Sequence, residues 1–363
     1  MRSFTALAHA AFVVVVVVSG PGLFCHAAES GGVTDTAAAD LDWKLASDYG
    51  SALVHARAVF GSGKQPLNYY NRLPAEAQTT TRASIWGLQQ DPAGMFLQFQ
   101  TNSSTIAVNY TLGSSNLDMW HFSATGVSGV DLYSYDEGNK TWRWVATPTP
   151  TFPVTEAVLV QNAQPTPTTT PGGRLYRLHL PTYNTIKDDL SIGLDAGSSF
   201  LPDNATLDGS SIVWYGSSIL QGAVASRPGL IATHQVSRKV ERLIYNYGFS
   251  GNCWMETNVA QYLVDIVPAP GLFIIDCNPN MVGFPPSGGT SQNDIFSHTV
   301  PLVDFIRSHG FSTTPIILSE GAFCTFCYLC YLQAYLQCIH RNYIESTGRH
   351  HLRFSVDECW FLH

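Results

Sequence analysis

The sequence predicts a two-part chain. A β-sandwich of jelly-roll type over residues 40–205 is followed, over residues 206–320, by a three-layer α/β/α domain on a parallel sheet, truncated at its C-terminus. Three observations predict it. Between Trp43 and Leu201, runs such as Met95-Phe96-Leu97-Gln98-Phe99, Ile106-Ala107-Val108-Asn109-Tyr110 and Arg174 to Leu180 alternate apolar with polar residues, as an antiparallel sheet packed on one face requires. From Ser211 onward the texture changes to continuous apolar runs, Ile212 to Tyr215, Leu243 to Tyr245, Leu272 to Ile275 and Pro315 to Leu318. Stretches with helical spacing, Val259 to Val267 and Phe296 to Ile306, separate them, the pattern of buried parallel strands alternating with helices. Finally, 363 residues with 45% hydrophobic and 13% charged content exclude a disordered chain, and at roughly 150 residues per domain they suffice for two cores.

The first segment, residues 1–27, reads as a secretory signal peptide. Arg2 gives a positive start, Phe12 to Val18 a short apolar run, and Cys25-His26-Ala27 small residues at the cleavage positions. The apolar run breaks at Gly20-Pro21 and is shorter than the about 20 residues a bilayer span needs, so cleavage rather than anchoring is expected. An extracellular destination agrees with four glycosylation sequons, at Asn102, Asn109, Asn139 and Asn204. Within the sandwich, the Pro-Thr stretches at Thr147–Pro153 and Pro165–Pro171 read as loops or exposed edges. With 19 Lys plus Arg against 27 Asp plus Glu the net charge is -8, and no basic patch marks a nucleic-acid partner.

In a parallel sheet the reactive groups sit on loops at the carboxyl ends of the strands. The first apolar run ends in Gly216-Ser217-Ser218-Ile219-Leu220-Gln221-Gly222, a serine held where a strand turns into a helix. The second runs into Asn246-Tyr247-Gly248-Phe249-Ser250-Gly251-Asn252, and the third into Asp276-Cys277-Asn278-Pro279-Asn280-Met281. A serine hydroxyl beside a glycine amide and an asparagine carboxamide is the set acyl transfer requires, a nucleophile with donors for the oxyanion. Each motif alone is more often a simple turn; their order on three successive strands carries the signal.

These three strings resemble blocks I, II and III of the SGNH hydrolases, also called GDSL-type lipases and esterases. Ser226-Arg227-Pro228-Gly229 and the Asp-Cys-x-Pro-Asn-Met form resemble one branch in particular. There a β-rich domain with a Gly-x-Asp-Leu-Tyr signature precedes the hydrolase, matched here by Gly129-Val130-Asp131-Leu132-Tyr133. The resemblance covers nearly all of residues 45 to 320. It implies Ser218 as nucleophile and oxyanion donors from the N–H groups of Ser218 and Gly251. An asparagine side chain supplies the third, Asn280, with Asn278 the alternative. Ser217 stands where many relatives carry the Asp of Gly-Asp-Ser. No metal or organic cofactor is implied, and the expected partner is a small-molecule or glycan ester, an O-acetyl or other short acyl group on a carbohydrate first.

The resemblance also implies a C-terminal Asp-x-x-His as general base and its orienter, and none follows block III. Beyond Glu320 the candidates are His340, His350, His351 and His363, with Asp357 the sole Asp. This tail, residues 321–363, carries Cys324, Cys327, Cys330, Cys338 and Cys359 of the eight cysteines. Its Cys-x-x-Cys-x-x-Cys spacing suits a metal poorly, and its uncharged stretch 321–339 is just long enough for a membrane span but is interrupted by Gln333 and Gln337. The favoured reading is an out-of-frame or intron-derived segment replacing the last strands and catalytic loop. The alternative to an esterase is therefore a secreted binding or scaffold protein without catalysis. Cys253 and Cys277 are expected as buried small residues rather than a pair. His234, His298 and His309 are expected on helix surfaces or caps, and Trp120 and His121 in core packing, with a sugar-binding face as the other reading.

Overall fold

A computed structural model describes residues 40–164, 170–203, 207, 209–281 and 292–319, all within one compact unit. The segment expected as a signal peptide, the sequon at Asn204 and the tail 321–363 lie outside the described residues. So do the middle of the second Pro-Thr stretch and the loop between Met281 and Gln292.

The strands in chain order are β1 (Leu41–Leu45), β2 (Val54–His55), β3 (Phe96–Thr101), β4 (Ile106–Thr111), β5 (Asp131–Asp136), β6 (Thr141–Ala146), β7 (Val154–Val160), β8 (Arg174–His179), β9 (Ser191–Asp195), β10 (Leu201–Pro202), β11 (Ile212–Gly216), β12 (Ile244–Gly248), β13 (Leu272–Asp276) and β14 (Ile316–Leu318). The helices are α1 (Ala77–Thr80), α2 (Ala83–Leu88), α3 (Ala124–Val127), α4 (Ser218–Gln221), α5 (Ala232–Val240), α6 (Thr257–Leu263), α7 (Asn278–Met281) and α8 (Gln292–Ser308).

The first ten strands form two antiparallel sheets, ordered β1-β9-β4-β7 and β10-β3-β8-β5-β6, with β2 added beside β3. Leu97, Phe99, Val108, Tyr110, Leu132, Leu178, Ile192 and Leu194, drawn from both sheets, share one buried core. The period-two pattern predicts one buried face, yet β3 and β8 are buried on both. Their outward residues Gln98, Arg177 and His179 are at most 1% exposed because the second domain covers them. Gln98 accepts two hydrogen bonds from Arg177, at 2.9 and 2.6 Å, and that guanidinium lies over the rings of Phe96 and Trp142 at 4.4 Å. The covering element is α5. Its His234 ring sits 3.9 Å from His179 and is buried, which corrects the expected surface position: a helix laid on a sheet face buries whatever points at that face. His309 does cap α8, its Nδ1 2.7 Å from the Phe305 carbonyl.

The Gly-x-Asp-Leu-Tyr signature explains itself at this interface. Leu132 points into the sandwich core while Asp131, on the other face, is fully buried. Its carboxylate accepts from Trp144 Nε1 (2.9 Å), Thr147 Oγ1 (2.6 Å) and the Gly229 N–H (2.9 Å), and pairs with Arg227 at 3.4 Å. Tyr133 takes Arg238 of α5 on its ring at 4.2 Å. A side chain at Gly229 would collide with the Tyr133 ring, so the close approach needs glycine.

The second domain is a parallel sheet of order β12-β11-β13-β14. Its core contains Val213, Tyr215, Tyr247, Phe249, Val259, Phe273, Ile275 and Leu302. Ala58, Phe60, Leu73, Ala77 and Ile85 join the same core, although they precede β3 in the chain. Phe60 bridges to Ile266, and the Gly61 N–H donates to the Asp265 carbonyl at 2.6 Å.

Candidate active site

Strand register places the three strand exits level with one another. Gly216 at the end of β11 pairs with Gly248 of β12 on one side and Asp276 of β13 on the other. Chain order reverses direction across β11, the point where an open α/β sheet leaves a crevice at its carboxyl edge.

Ser217 and Ser218 follow directly. Ser217 is fully buried and N-caps α4, its hydroxyl 3.4 Å from the Ile219 N–H, while Ser218 is half-buried with Ile219 exposed beside it. The Ser218 carbonyl receives the N–H groups of Gly222 (3.0 Å) and Ala223 (2.9 Å) and the Tyr183 hydroxyl (3.2 Å). Gly222 adopts φ +119 to end the turn, a conformation that strains any side-chain-bearing residue.

The β12 exit is bound tightly to this turn. The Phe249 N–H donates to the Gly216 carbonyl (2.8 Å), Asn246 Nδ2 to the Leu220 carbonyl (2.7 Å), and a side chain at Gly248 would overlap the backbone of Gln221. Gly251 is exposed at φ +67, with open space around it. The Ser250 carbonyl accepts from Asn252 Nδ2 at 2.6 Å. Because the peptide is planar, that bond fixes the direction of the Gly251 N–H, which points opposite to the carbonyl. Asn252 is itself held by Arg82, which donates to its Oδ1 (2.6 Å) and carbonyl (2.9 Å), pairs with Glu256 (2.7 Å) and lies over the Trp254 ring at 3.4 Å.

The two candidate asparagines differ in their commitments. Asn280 is 6% exposed and its Oδ1 accepts from the Cys253 N–H at 3.1 Å, which orients Nδ2 as the remaining donor. Asn278 donates its Nδ2 to the Ser319 carbonyl, 3.2 Å away beyond β14. Cys253 and Cys277 form a disulfide with Cα atoms 4.9 Å apart, correcting the expectation of two free buried residues. Level strand exits bring two cysteines 24 positions apart in sequence to one point.

Behind the three exits lies a buried polar layer that motif reading does not identify, because all its members but Gln221 come from the first domain. Arg72 donates to the carbonyls of Asn246 (3.1 Å), Gly248 (2.7 Å) and Leu88 (2.6 Å). Gln221 donates to Asp91 Oδ2 (3.2 Å) and the Thr182 carbonyl (3.1 Å) and accepts from the Ser250 N–H (3.0 Å). Burial pushes Asp91 up to about 7 against the opposing pull of Arg72, and the same burial lowers Arg72 to about 10.

The tail histidines lie outside the described residues. Asp-x-x-His spacing does occur upstream, at Asp118-Met119-Trp120-His121, and sequence reading passed over it. Among the described residues no hydrogen bond links Asp118 or His121 to Ser218. Trp120 is 95% exposed, its ring 4.5 Å from that of His121, which corrects the expected core position. Its loop is closed by mutual backbone bonds of Met119 and Phe122 (2.9 Å each), and Phe122 meets Tyr183 edge-on at 5.4 Å, so the exposed indole stands on the rim of a loop linked through Tyr183 to the Ser218 carbonyl. Of the described sequons, Asn102 and Asn139 are exposed, and Asn109 is half-buried with Nδ2 donating to Glu156 at 2.6 Å. Among the described residues no helix is long and apolar enough to cross a membrane.

Comparison with known proteins agrees with this architecture. Residues 49–200 match the family described as GxDLY, the N-terminus of SGNH-hydrolase-type esterases, and residues 210–341 match the GDSL-like lipase/acylhydrolase family, running past Glu320 into the tail. The chain is 29% identical to a Bacteroides ovatus protein assigned as a GDSL-like lipase, over 77% of this chain and 73% of that one, with a TM-score of 0.64. A salicylyl-acyltransferase from a tetracycline biosynthetic pathway shares the fold at 18% identity, over 80% and 75% of the two chains, with a TM-score of 0.57. A family two carbohydrate esterase from Clostridium thermocellum superposes more loosely, at 10% identity over 71% and 82%, with a TM-score of 0.46. No curated protein matches the sequence. Two matched families in tandem, in the order the two domains take, show that the chain belongs to the SGNH (GDSL-type) hydrolases, in the branch whose hydrolase domain follows a GxDLY domain.

Proposed function

We propose that the chain is a secreted serine acylhydrolase that forms an acyl-enzyme on Ser218 and releases short acyl groups, acetyl first, from a carbohydrate ester. The observation that carries the reading is that Ser218, Gly251 and Asn280 follow three strand exits at one level of the sheet edge, their loops each held by a hydrogen bond from outside the loop. In this reading the Ser218 oxygen attacks the ester carbonyl, and the developing oxyanion is met by the N–H groups of Ser218 and Gly251 and by Asn280 Nδ2. Collapse of the tetrahedral intermediate breaks the ester C–O bond and releases the alcohol carrying the proton lost by Ser218, and water then hydrolyses the acyl-enzyme to the free acid and the serine hydroxyl. The reading needs a base to take the serine proton, and no Asp-x-x-His after block III supplies one.

An exposed tryptophan on the rim supports a sugar as the alcohol, since a flat indole face stacks on the apolar face of a pyranose. The disulfide and the exposed Asn102 and Asn139 support secretion. Strand order, in which most steps along the chain pass from one sheet to the other, supports the jelly-roll assignment of the first domain.

A second reading, a non-catalytic secreted binding protein, is favoured by one observation, the lack of Asp-x-x-His after block III. Reaction of the purified chain with a fluorophosphonate probe and with p-nitrophenyl acetate separates the two. Labelling at Ser218 and turnover abolished by Ser218→Ala support the enzyme. Equal background rates in both proteins with no label establish the binding protein, since a nucleophile without its base keeps only about 10³ to 10⁴-fold acceleration over water.

A further inference from the structure

The β domain does more than sit against the hydrolase. Arg72 and Asp91, in the segment that leads into β3, and Thr182 and Tyr183, in the loop after β8, approach the active-site loops from behind. Two of them, Asp91 and Thr182, meet at Gln221, the last residue of α4, which is fully buried and has its amino group and its oxygen both engaged. Two donor bonds run into the β domain, to Asp91 and Thr182, and the single acceptor bond runs forward to the Ser250 N–H.

We infer that Asp91, acting through Gln221, is a positioning residue for the Ser250–Gly251 peptide, so that the β domain sets the oxyanion geometry. The inference rests on the acylhydrolase reading of Ser218 and Gly251. Its mechanical content is simple. Two bonds aim the oxyanion donor at Gly251: Gln221 Oε1 fixes the N–H of Ser250, and Asn252 Nδ2 fixes its carbonyl. A carboxamide is free to rotate by half a turn, which would exchange its oxygen and nitrogen and present a donor to the Ser250 N–H. An anionic Asp91 accepts only, so it holds the Gln221 amino group on its own side and the oxygen toward Ser250. A protonated Asp91 can donate, and the Thr182 carbonyl is then left alone to hold the Gln221 amino group on that side.

The groups facing Asp91 are Arg72, Thr185 at 3.5 Å, Gln221 and, around the same guanidinium, Tyr183 and Tyr247. Arg72 stays charged up to about 10 and burial holds Tyr183 up to about 12, with Tyr247 higher still. Asp91, at about 7, is therefore the member of this set that changes charge near neutrality.

The test follows the amide resonances of Ser250 and Gly251 in the ¹⁵N-labelled full chain from pH 5.5 to 8.5, with fluorophosphonate labelling rates over the same range. The expected result is one shared inflection near pH 7, labelling that quickens above it, and loss of the inflection in both Asp91→Asn and Gln221→Met. Labelling of Asp91→Asn above pH 7 is expected to slow by roughly 10 to 100-fold, the scale of a small misplacement of an oxyanion donor. Gln221→Met keeps the side-chain volume and serves if Asp91→Asn does not fold. No inflection in the wild type, or an unchanged one in either variant, overturns the inference. The resonances are read on unreacted protein, so failure of wild-type labelling would sink the acylhydrolase reading without deciding this one.

Discussion

Asn278 and Asn280 stand two residues apart on one short helix and hold different structures together. Asn278 is committed to the Ser319 carbonyl, whereas the oxygen of Asn280 is committed to the Cys253 N–H and leaves its amino group for a ligand. Asn280→Ala is expected to lower kcat by about 10² to 10³, the typical cost of an oxyanion donor, while Asn278→Ala changes it by no more than a few-fold. Steady-state kinetics on p-nitrophenyl acetate decides. Trp120 predicts the complementary split: Trp120→Ala should raise KM several-fold for an acetylated oligosaccharide and leave p-nitrophenyl acetate unaffected, because the small ester does not reach the rim. The sequence placed the serine, the glycine and the pair of asparagines, since a strand exit is written as an apolar run followed by turn residues. It misplaced Trp120 and His234, since exposure of a single aromatic or imidazole depends on what another element lays over it.

Among the elements, the loops after β12 and β13 are joined twice, by the Cys253–Cys277 disulfide and by the Cys253 N–H bond to Asn280. Closing 24 residues restricts the unfolded chain by about 3 kcal/mol in the loop-entropy account. The double variant Cys253→Ser, Cys277→Ser should lose about that much stability in urea unfolding, and should label more slowly with fluorophosphonate because Asn280 is then held through the Cys253 N–H alone. Strands β3, β4, β8 and β11 to β14 were legible because apolar runs and period-two alternation are local properties. The pairing was not, because β12 and β13 flank β11 in space and chain order does not carry that adjacency.

For the molecule as a whole, the interface between sheet and helix carries titratable groups of opposite sign dependence. His55, His179 and His234 are held neutral by burial and by the nearby Arg177 and Arg238, His55 down to about 4. Their folded values lie below the unfolded 6.5, so the stability they allow is complete above pH 6.5 and is lost as pH falls, by about 3 kcal/mol for His55 between pH 6.5 and 4. Asp91 runs the other way. Its folded value of about 7 lies above 3.8, so its contribution is complete below pH 3.8 and is lost as pH rises to 7, on the order of 4 kcal/mol. Thermal melts from pH 4 to 9 should show a steep acid limb that His179→Gln flattens, and a melting temperature at pH 8 that Asp91→Asn raises. The same position would then trade stability for alignment of the site. The change from antiparallel to parallel sheet between β10 and β11 was legible as a change of texture, but the crossing of residues 58–88 into the second core was not, because those residues lack a period that names their partner.

That crossing has a consequence for synthesis. Residues 58–88 leave the ribosome before any strand of the sheet they cover, and at cellular elongation rates the wait is on the order of ten seconds or more. During that interval Phe60, Leu73 and Ile85 have no native surface to bury against, so they stay exposed until the parallel sheet is made. A chain halted after β10 would keep its sandwich strands yet expose a protease-sensitive strap, and the two domains could not be exchanged between relatives as independent cassettes.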